Sequence, residues 1–205
     1  NNYPPPYRFT NVRLSDNGRF VLFAVEANYG WPALYLRDSQ APAPVAIVSN
    51  YFTSELSFQT APQLSSDGRF VLYQLGGTNI YRFDTGTGTN ELVTAELDQM
   101  PFINGGARDG VMTTDGNFVL FNGNSPDFTT NNATEWQLYV RDMSAGTTRL
   151  ITLATNGQPG ANQLPVLFSA TPDLSLVTFD STASHLVPGD SNRLSDVFVR
   201  DLASG

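Results

Sequence analysis

One short pattern occurs four times in this sequence of 205 residues, and it limits the possible fold more than any other feature. A turn of small polar residues leads into a run of apolar residues that ends on an aromatic side chain. The pattern returns at intervals of about 50 residues. Repetition of this kind indicates a protein built from similar modules that each pack on their neighbours. The four copies are Ser15–Phe23, Ser66–Tyr73, Thr114–Phe121 and Pro172–Phe179.

A second short element follows each copy and ends on an aspartate. Both elements are rich in β-branched and aromatic residues and are bounded by turn residues, which is typical of β-strands. No window of 11 residues keeps a helical periodicity, and Gly and Pro occur throughout the chain. Two strands in a period near 50 predict the blades of an all-β propeller. The second elements are Leu34–Asp38, Ile80–Asp84, Leu138–Asp142 and Val197–Asp201.

Each unit is predicted to contain four antiparallel strands, A to D, in a single domain over 1–205. The units span about 7–50, 51–98, 99–155 and 156–205. An aspartate and a glycine supply the A–B turn, adjacent in the second and third units and separated by Asn17 in the first. In the fourth unit Leu174 replaces glycine and predicts a longer or less regular hairpin. In the third unit the predicted strands are about Gly110–Thr113, Phe118–Asn122, Gln137–Asp142 and Thr148–Leu153.

These units resemble the TolB-type, WD-like β-propeller repeat. The fourth unit is especially similar, through Ser184–Asn192 and Ser195–Leu202, to a variant found in large secreted bacterial repeat proteins. The resemblance covers nearly the whole chain and implies the propeller fold. It says less about function, because the family includes translocation partners, peptidase propellers and surface proteins. With the abundance of Ser, Thr and Asn, it implies a bacterial protein that is secreted or located in the periplasm or cell envelope.

Composition excludes several classes of site and partner. Cysteine is absent, which rules out disulfides, zinc–thiolate sites and thiol nucleophiles. All 11 basic residues are arginines, and the net charge of −8 argues against a general nucleic-acid partner. No stretch approaches the roughly 20 apolar residues of a membrane span.

The number of units raises a question about closure of the propeller. The fourth unit stops at Gly205, in the turn that leads to strand D in the other units, and family propellers usually close with six to eight blades. Three interpretations stay open. The chain is part of a longer protein, or it forms a small or open four-bladed ring. Alternatively, a second copy completes the ring or donates the missing strand by edge addition.

Antiparallel blades place the A–B and C–D turns at one end and the B–C and D–A loops at the other. The aspartates of the turn end recur at repeat positions, so turn capping explains them without a ligand. The long individual loops are predicted to carry binding. The repeated aspartates are Asp16, Asp67, Asp115 and Asp173, with Asp38, Asp84, Asp142 and Asp201 in the second turn. The long loops are Glu26–Ala33, Gly123–Trp136 and Asp180–Ser195 (B–C), with Asn50–Ser57 and Glu96–Arg108 (D–A).

Aromatic residues outside the repeat pattern are the predicted contacts for a protein or glycan partner, because the repeat positions already fill the core. The alternative is that the two tryptophans cover the ends of strand C and seal the blades. The predicted contacts are Tyr29, Trp31, Tyr51, Phe52, Phe128 and Trp136.

Asp190, Asn192 and Asp196 are the candidate metal ligands. Their oxygens occupy positions 1, 3 and 7 of a loop, a spacing that suits a hard cation such as calcium. The alternative is an Asx-type turn that leads into strand C.

A catalytic function is not predicted. His185 is the only histidine, and no Gly-x-Ser-x-Gly elbow is present. The leading hypothesis is a non-catalytic binding or scaffold module that presents the loop end of the blades to its partner. One alternative is the non-catalytic propeller of a larger peptidase-like enzyme. Another is a structural subunit that assembles into an oligomer or filament through the incomplete fourth blade.

Overall fold

The computed structural model describes residues 7–27, 30–49, 61–75, 78–101, 105–160, 168–192 and 194–202. These residues form four separate antiparallel sheets, one for each repeat unit, as predicted. Blade 1 contains β1 (Tyr7–Leu14), β2 (Phe20–Ala27), β3 (Gly30–Asp38) and β4 (Val45–Ser49). Blade 2 contains β5 (Gln63–Leu64), β6 (Phe70–Leu75), β7 (Asn79–Asp84) and β8 (Thr89–Leu92). Blade 3 contains β9 (Ala107–Met112), β10 (Phe118–Gly123), β11 (Gln137–Asp142) and β12 (Thr147–Leu150). Blade 4 contains β13 (Phe168–Ala170), β14 (Leu176–Ser181) and β15 (Asp196–Asp201).

Helical structure in the described ranges is limited to one 3₁₀ turn, Pro126–Phe128, in the B–C loop of blade 3. Ser125 caps this turn, because its hydroxyl accepts a hydrogen bond from the amide of Asp127. No helix in the part of the chain described here has the length and apolar character needed to cross a bilayer.

The strands of blade 3 confirm most of the sequence-based boundaries. Strands B and C lie where they were predicted. Strand A begins earlier, at Ala107, and strand D ends at Leu150 rather than Leu153. Residues 151 and 152 follow the strand, and Leu153 begins a short hairpin after it. In blade 1 the predicted B–C loop over residues 26–33 is wrong. β2 and β3 continue pairing as far as Ala27 and Gly30, which places Trp31 in β3.

Apolar residues on both faces of the sheets hold the blades together. In blades 2 to 4 one face contacts the preceding blade, and we call it the front face. In blades 1 to 3 the other face contacts the following blade, and we call it the rear face. The same names are used for the equivalent faces of blades 1 and 4. Leu22 and Leu34 on the rear face of blade 1, for example, share a buried cluster with Tyr73 and Phe83 of blade 2. Equivalent clusters join blade 2 to blade 3 and blade 3 to blade 4. The core is therefore a series of similar interfaces between neighbours.

Each front face carries a stacked pair of aromatic rings, one from strand B and one from strand C. Adjacent antiparallel strands bring such side chains within contact distance, and offset stacking adds to the gain from burial. The stacked pair recurs in all four units, which shows that the four sequence copies occupy equivalent positions in their blades. The ring centroids are 5.7 Å apart in Phe23–Tyr35, 5.8 Å in Tyr73–Tyr81, 5.6 Å in Phe121–Tyr139 and 5.6 Å in Phe179–Phe198.

The A–B turn of blade 4 is as regular as its counterparts, so the predicted irregularity at Leu174 is wrong. Leu174 adopts a φ of 55°, in the same left-handed region as Gly68 and Gly116. Its amide donates to the carbonyl of Thr171 at 2.8 Å, as the amide of Gly68 does to Ser65 at 2.9 Å. The side chain is buried in the cluster between blades 3 and 4. Burial of an apolar side chain offsets the roughly 1–2 kcal/mol cost of this backbone conformation.

Within the described residues, the outer faces of blades 1 and 4 are uncovered. On the rear face of blade 3, Leu138 and Val140 are 0% and 2% exposed because blade 4 covers them. The equivalent residues of blade 4, Val197 and Val199, are 78% and 67% exposed. On the front face of blade 1, Phe9 is 65% exposed although it packs against Phe23. The described blades therefore do not close into a ring by themselves.

Candidate functional site

The turn end of the blades is a repeated hydrogen-bond network. In blade 2, the Ser65 hydroxyl accepts from the amide of Phe70 at 2.8 Å and donates to Asp67 Oδ1 at 2.7 Å. The same oxygen of Asp67 accepts from the amide of Arg69. Blade 3 repeats this pattern with threonine in place of serine. In these turns the carboxylates cap the backbone, as predicted.

Blade 1 departs from the prediction by one residue. The capping side chain is Asn17, whose Oδ1 accepts from the hydroxyl of Ser15 and from the amide of Arg19. Asp16 instead occupies the position of Ser66 and Thr114, and its amide donates to the Ser66 carbonyl at 3.1 Å. The prediction that Asp16 caps this turn is therefore wrong, because an amide oxygen fills the same role as a carboxylate.

Ion pairs and hydrogen bonds lower the pKa values of several carboxyl groups at the turn end. The hydrogen bond from Arg19, at 2.7 Å between Nη2 and Oδ2, lowers the pKa of Asp38 to about 2. The hydroxyl of Thr171 and the amide of Ser175 lower the pKa of Asp173 to about 2. The charged form of Asp38 is thus favoured by an arginine of the neighbouring A–B turn, and that of Asp173 by partners inside its own turn.

The loop end differs from the turn end because it includes a hairpin after strand D in blades 2 and 3. We call residues 95–101 and 153–159 the outer arms. Each arm closes with a β-bridge, Ala95 to Pro101 and Leu153 to Pro159. Gln99 and Gly157 occupy equivalent positions with φ values of 65° and 79°. The arms therefore share one backbone shape.

Each outer arm rests on the blade that follows it. In the first arm, Glu96 accepts from the hydroxyl of Ser125 at 2.5 Å, and the amide of Leu97 donates to the carbonyl of Asp127 at 2.9 Å. Arg141 of blade 3 donates to Gln99 Oε1 at 2.9 Å. These contacts fix the arm of blade 2 against the B–C loop and strand C of blade 3.

Two apolar side chains on the first arm are exposed. Leu97 is 56% exposed and Met100 is 59% exposed, whereas Thr155 and Gln158 hold the same positions on the second arm. The backbone of the second arm shows that this hairpin does not need apolar residues there. Sequence reasoning missed Leu97 and Met100, although a comparison between the units would have shown the replacement of polar by apolar residues.

Trp136 lies at the end of the B–C loop of blade 3 and is half-buried. The guanidinium of Arg108 in β9 lies 4.6 Å from the centroid of the indole ring, in a cation–π contact. Gly106 lies under the same ring, where a Cβ atom would come within 3.2 Å of it. The structure therefore gives Trp136 a sealing contact and leaves part of it accessible. We call Leu97, Met100, Arg108 and Trp136 the loop-end patch.

The structure separates the other aromatic residues that were predicted to contact a partner. Phe128 is 1% exposed and packs between Phe121 and Tyr139, with ring centroids 5.4 and 5.2 Å away. It is a core residue, and its prediction as a surface contact is wrong. Trp31 lies in a strand, and its side chain lies outside the described residues. Tyr29, Tyr51 and Phe52 also lie outside the described residues.

Asp190 and Asn192 lie in the loop before β15, and Asp196 is the first residue of that strand. The Asn192 amide group donates to Asp196 Oδ2 at 3.0 Å, and Asn192 Oδ1 accepts from the amide of Leu194 at 2.8 Å. Within the described ranges, no group of three or more acidic or histidine side chains is placed to share a metal ion. The hydrogen bonds are those of an Asx-type turn, and calcium binding stays a prediction.

His185 is exposed in the B–C loop of blade 4. Its Nε2 lies 3.2 Å from the carbonyl oxygen of Pro159, in the second outer arm. This contact joins blades 3 and 4, as the contacts of Glu96 and Leu97 join blades 2 and 3. The residue therefore has a structural contact in this fold.

A groove lies at the edge of blade 4. It has a volume of about 570 Å³ and lies between residues 187–192 and β15. β15 pairs with β14 on one side and has no strand on its other side among the described residues. Asp190, Asn192 and Asp196 line the groove, together with the exposed Val197 and Val199.

No protein-family profile matches the chain, and no curated protein sequence matches it either. Solved structures do match. TolB from Acinetobacter baumannii is 20% identical over 97% of this chain and 42% of its own, with a TM-score of 0.50. A TolB-like protein from Agrobacterium tumefaciens is 17% identical over 94% of this chain and 61% of its own, with a TM-score of 0.54. The tricorn protease is 16% identical over 97% of this chain and 18% of its own, with a TM-score of 0.60.

These likenesses confirm the TolB-type propeller fold. At this level of identity they carry no information about activity. The chain spans less than two thirds of each of the three structures.

Proposed function

We propose that this propeller segment is a non-catalytic binding module that holds a protein partner at the loop-end patch. The observation that carries the proposal is the pair of exposed apolar residues, Leu97 and Met100, on an arm that is fixed by three hydrogen bonds. Apolar side chains on a rigid support bind a partner with little loss of conformational freedom. The second arm has the polar residues Thr155 and Gln158 in their place.

The chemistry of the patch favours a protein over a glycan. Met, Arg and Trp are enriched in protein–protein interfaces, and methionine adapts its shape to the surface that it meets. The arm and Trp136 both adjoin the B–C loop of blade 3, since Ser125 and Asp127 hold the arm and Trp136 ends the same loop. A glycan partner is the alternative, because a half-buried tryptophan is also suited to stacking on a sugar ring. We further propose that the module works outside the cytoplasm, secreted or in the periplasm or cell envelope.

The double substitution Leu97→Thr and Met100→Gln tests this proposal. It gives the first arm the residues that the chain itself uses in the second arm, so we expect the fold to be kept. The immobilised variant and wild-type chain are compared for retention of proteins from the secreted and envelope fractions of the source cell. We expect the specific partner to bind at least about tenfold more weakly to the variant, which is typical for the centre of an interface.

Ser144→Thr with Ala145→Gln is the matched control, because both residues are exposed in a turn at the opposite end of blade 3. Equal retention by the loop-end and control variants would contradict the proposed site. Loss of a glycan ligand in Trp136→Ala, with no change in the arm variant, would favour the glycan alternative.

A second candidate function is the non-catalytic propeller of a larger peptidase-like enzyme. The likeness to the tricorn protease, with a TM-score of 0.60, supports this candidate at the level of the fold. A nucleophile elbow of the Gly-x-Ser-x-Gly type elsewhere in the same gene would favour it.

A further inference from the structure

Buried polar atoms that lack a hydrogen bond are concentrated in blade 3. Five buried side-chain atoms make no hydrogen bond to a described residue, and four of them belong to Thr129, Gln137, Tyr139 and Arg141. The last three are alternate residues of β11, so their side chains lie on the same face, the front face. Thr129 follows Phe128, whose ring packs on Tyr139. Such atoms are rare inside proteins, and a ligand is one of the few explanations for them.

Arg141 is the charged member of this group. It is 6% exposed, and it forms no ion pair with the described residues. Its Nη1 donates to Thr148 Oγ1 at 3.1 Å, and its Nη2 donates to Gln99 Oε1 at 2.9 Å. Its Nε is buried and has no partner among the described residues. An amide oxygen therefore engages only half of the guanidinium edge that Nε and Nη2 form.

Two other arginines show which group fits this edge. Nε and Nη2 of Arg19 donate to the two oxygens of Asp38, at 2.9 and 2.7 Å. Arg69 holds Asp84 with the same two nitrogens, at 3.5 and 3.1 Å. The planar guanidinium matches both oxygens of one carboxylate, and a charged pair is stronger than a bond to an amide. We propose that Arg141 binds the carboxylate group of a small organic acid. This inference does not rest on the proposed partner at the loop-end patch.

Arg200 occupies the same strand position in blade 4 and shows a different arrangement. Its Nη1 and Nη2 donate to the backbone carbonyls of Ile151 and Leu153 in the preceding blade, both at 2.7 Å. Among the described residues, Arg141 reaches its preceding blade through the side chain of Gln99 alone. A side chain can turn away from its partner, whereas backbone carbonyls inside a blade are fixed. The arginine of blade 3 is therefore the one that a ligand can engage.

Gln99 is the displaceable group of the site. It is an exposed residue of the first outer arm, and its amide oxygen takes the place that one carboxylate oxygen would occupy. When this side chain turns outward, the arm stays attached through Glu96 and Leu97. The two ligand oxygens then accept from Nη2 and Nε of Arg141. The hydroxyl group of Tyr139, on the same face of β11, is a further donor without a partner among the described residues.

The test follows the Nε–H signal of Arg141 in proton–nitrogen correlation spectra of the isotope-labelled 205-residue chain. Sodium acetate is the probe. We expect a saturable shift of this signal, because Nε gains a charged acceptor. Acetamide has nearly the same shape without the charge, and sodium chloride supplies the same ionic strength without a planar pair of oxygens. Neither should produce the shift.

Substitutions of the exposed Gln99 then assign the contact. Gln99→Gly gives the first arm the residue that the second arm has at the same position, Gly157, and both positions have a positive φ. We expect the fold to be kept and acetate to bind at least about threefold more tightly, because the competing amide oxygen is removed. Gln99→Glu supplies a tethered carboxylate, which should weaken acetate binding at least about tenfold.

Three results would overturn the proposal. The first is the absence of saturation by acetate in the millimolar range. The second is an equal shift of the Arg141 signal with acetamide or sodium chloride. The third is an acetate affinity that is the same in Gln99→Glu as in the wild-type chain.

Discussion

Replacing Gly116 with alanine is expected to lower the free energy of unfolding by about 3 kcal/mol. Gly116 has a φ of 75°, which costs an L-residue about 1–2 kcal/mol. The added Cβ atom would also lie 2.3 Å from the Phe70 ring of the preceding blade. The ring has little room to move, because Arg82 lies 4.1 Å from its centroid on one side. Overpacking of this kind costs roughly 1–3 kcal/mol. Denaturant unfolding measures this loss as a lower midpoint concentration, provided that the m-value is the same in the variant and the wild-type chain.

Gly18→Ala is the matched control for this substitution. Gly18 holds the same turn position in blade 1, with a φ of 68°, and no atom of the described residues lies within 4 Å of the place that the alanine methyl group would occupy. We expect a loss of only about 1 kcal/mol there, from the backbone conformation alone. An equal loss of free energy of unfolding at the two glycines would show that another group covers Gly18, which would contradict the uncovered front face of blade 1.

The second large effect is expected for Phe121→Ala, at about 4 kcal/mol. Phe121 is fully buried on the front face of blade 3, stacked on Tyr139 at 5.6 Å and in edge contact with Phe128 at 5.4 Å. Its removal leaves a cavity between blades that rigid sheets cannot close, and such substitutions cost roughly 3–5 kcal/mol. Thermal and denaturant unfolding both report the change.

Phe23→Ala removes the equivalent ring from blade 1. Phe23 stacks on Tyr35 at 5.7 Å but is only half-buried, since no blade in the described ranges covers that face. We expect less than half the loss seen for Phe121→Ala. A comparable loss at both positions would show that the front face of blade 1 is buried in solution, against a second copy or a further blade.

The repeat pattern predicted the propeller fold and strands B and C of the blades, because those strands carry the residues that pack between neighbours. Positions outside that pattern were harder to predict. Phe128 is absent from the repeat, yet one 3₁₀ turn directs it into the core against Phe121. Leu174 breaks the turn pattern, yet burial stabilises it in the glycine conformation. In both cases a tertiary contact outweighs the local preference.

The candidate site was predictable only in part. Trp136 was identified as an off-repeat aromatic residue, but its stacking with Arg108 depends on how strand A of blade 3 runs beside the B–C loop. The outer arms were treated as irregular loops, because a β-bridge such as Ala95 to Pro101 leaves little periodicity in the sequence. Comparison of the arms residue by residue reveals Leu97 and Met100.

The central claim is that the four described blades form a run in which β15, the last described strand, pairs with a described strand on one side only. Amide hydrogen exchange of residues 196–201 against residues 137–142 tests it most directly. About half of the amides of an edge strand point away from its single partner, so we expect the 196–201 segment to exchange about half of its amides rapidly. The 137–142 segment, paired on both sides, should stay protected. Equal protection of the two segments would contradict the open edge.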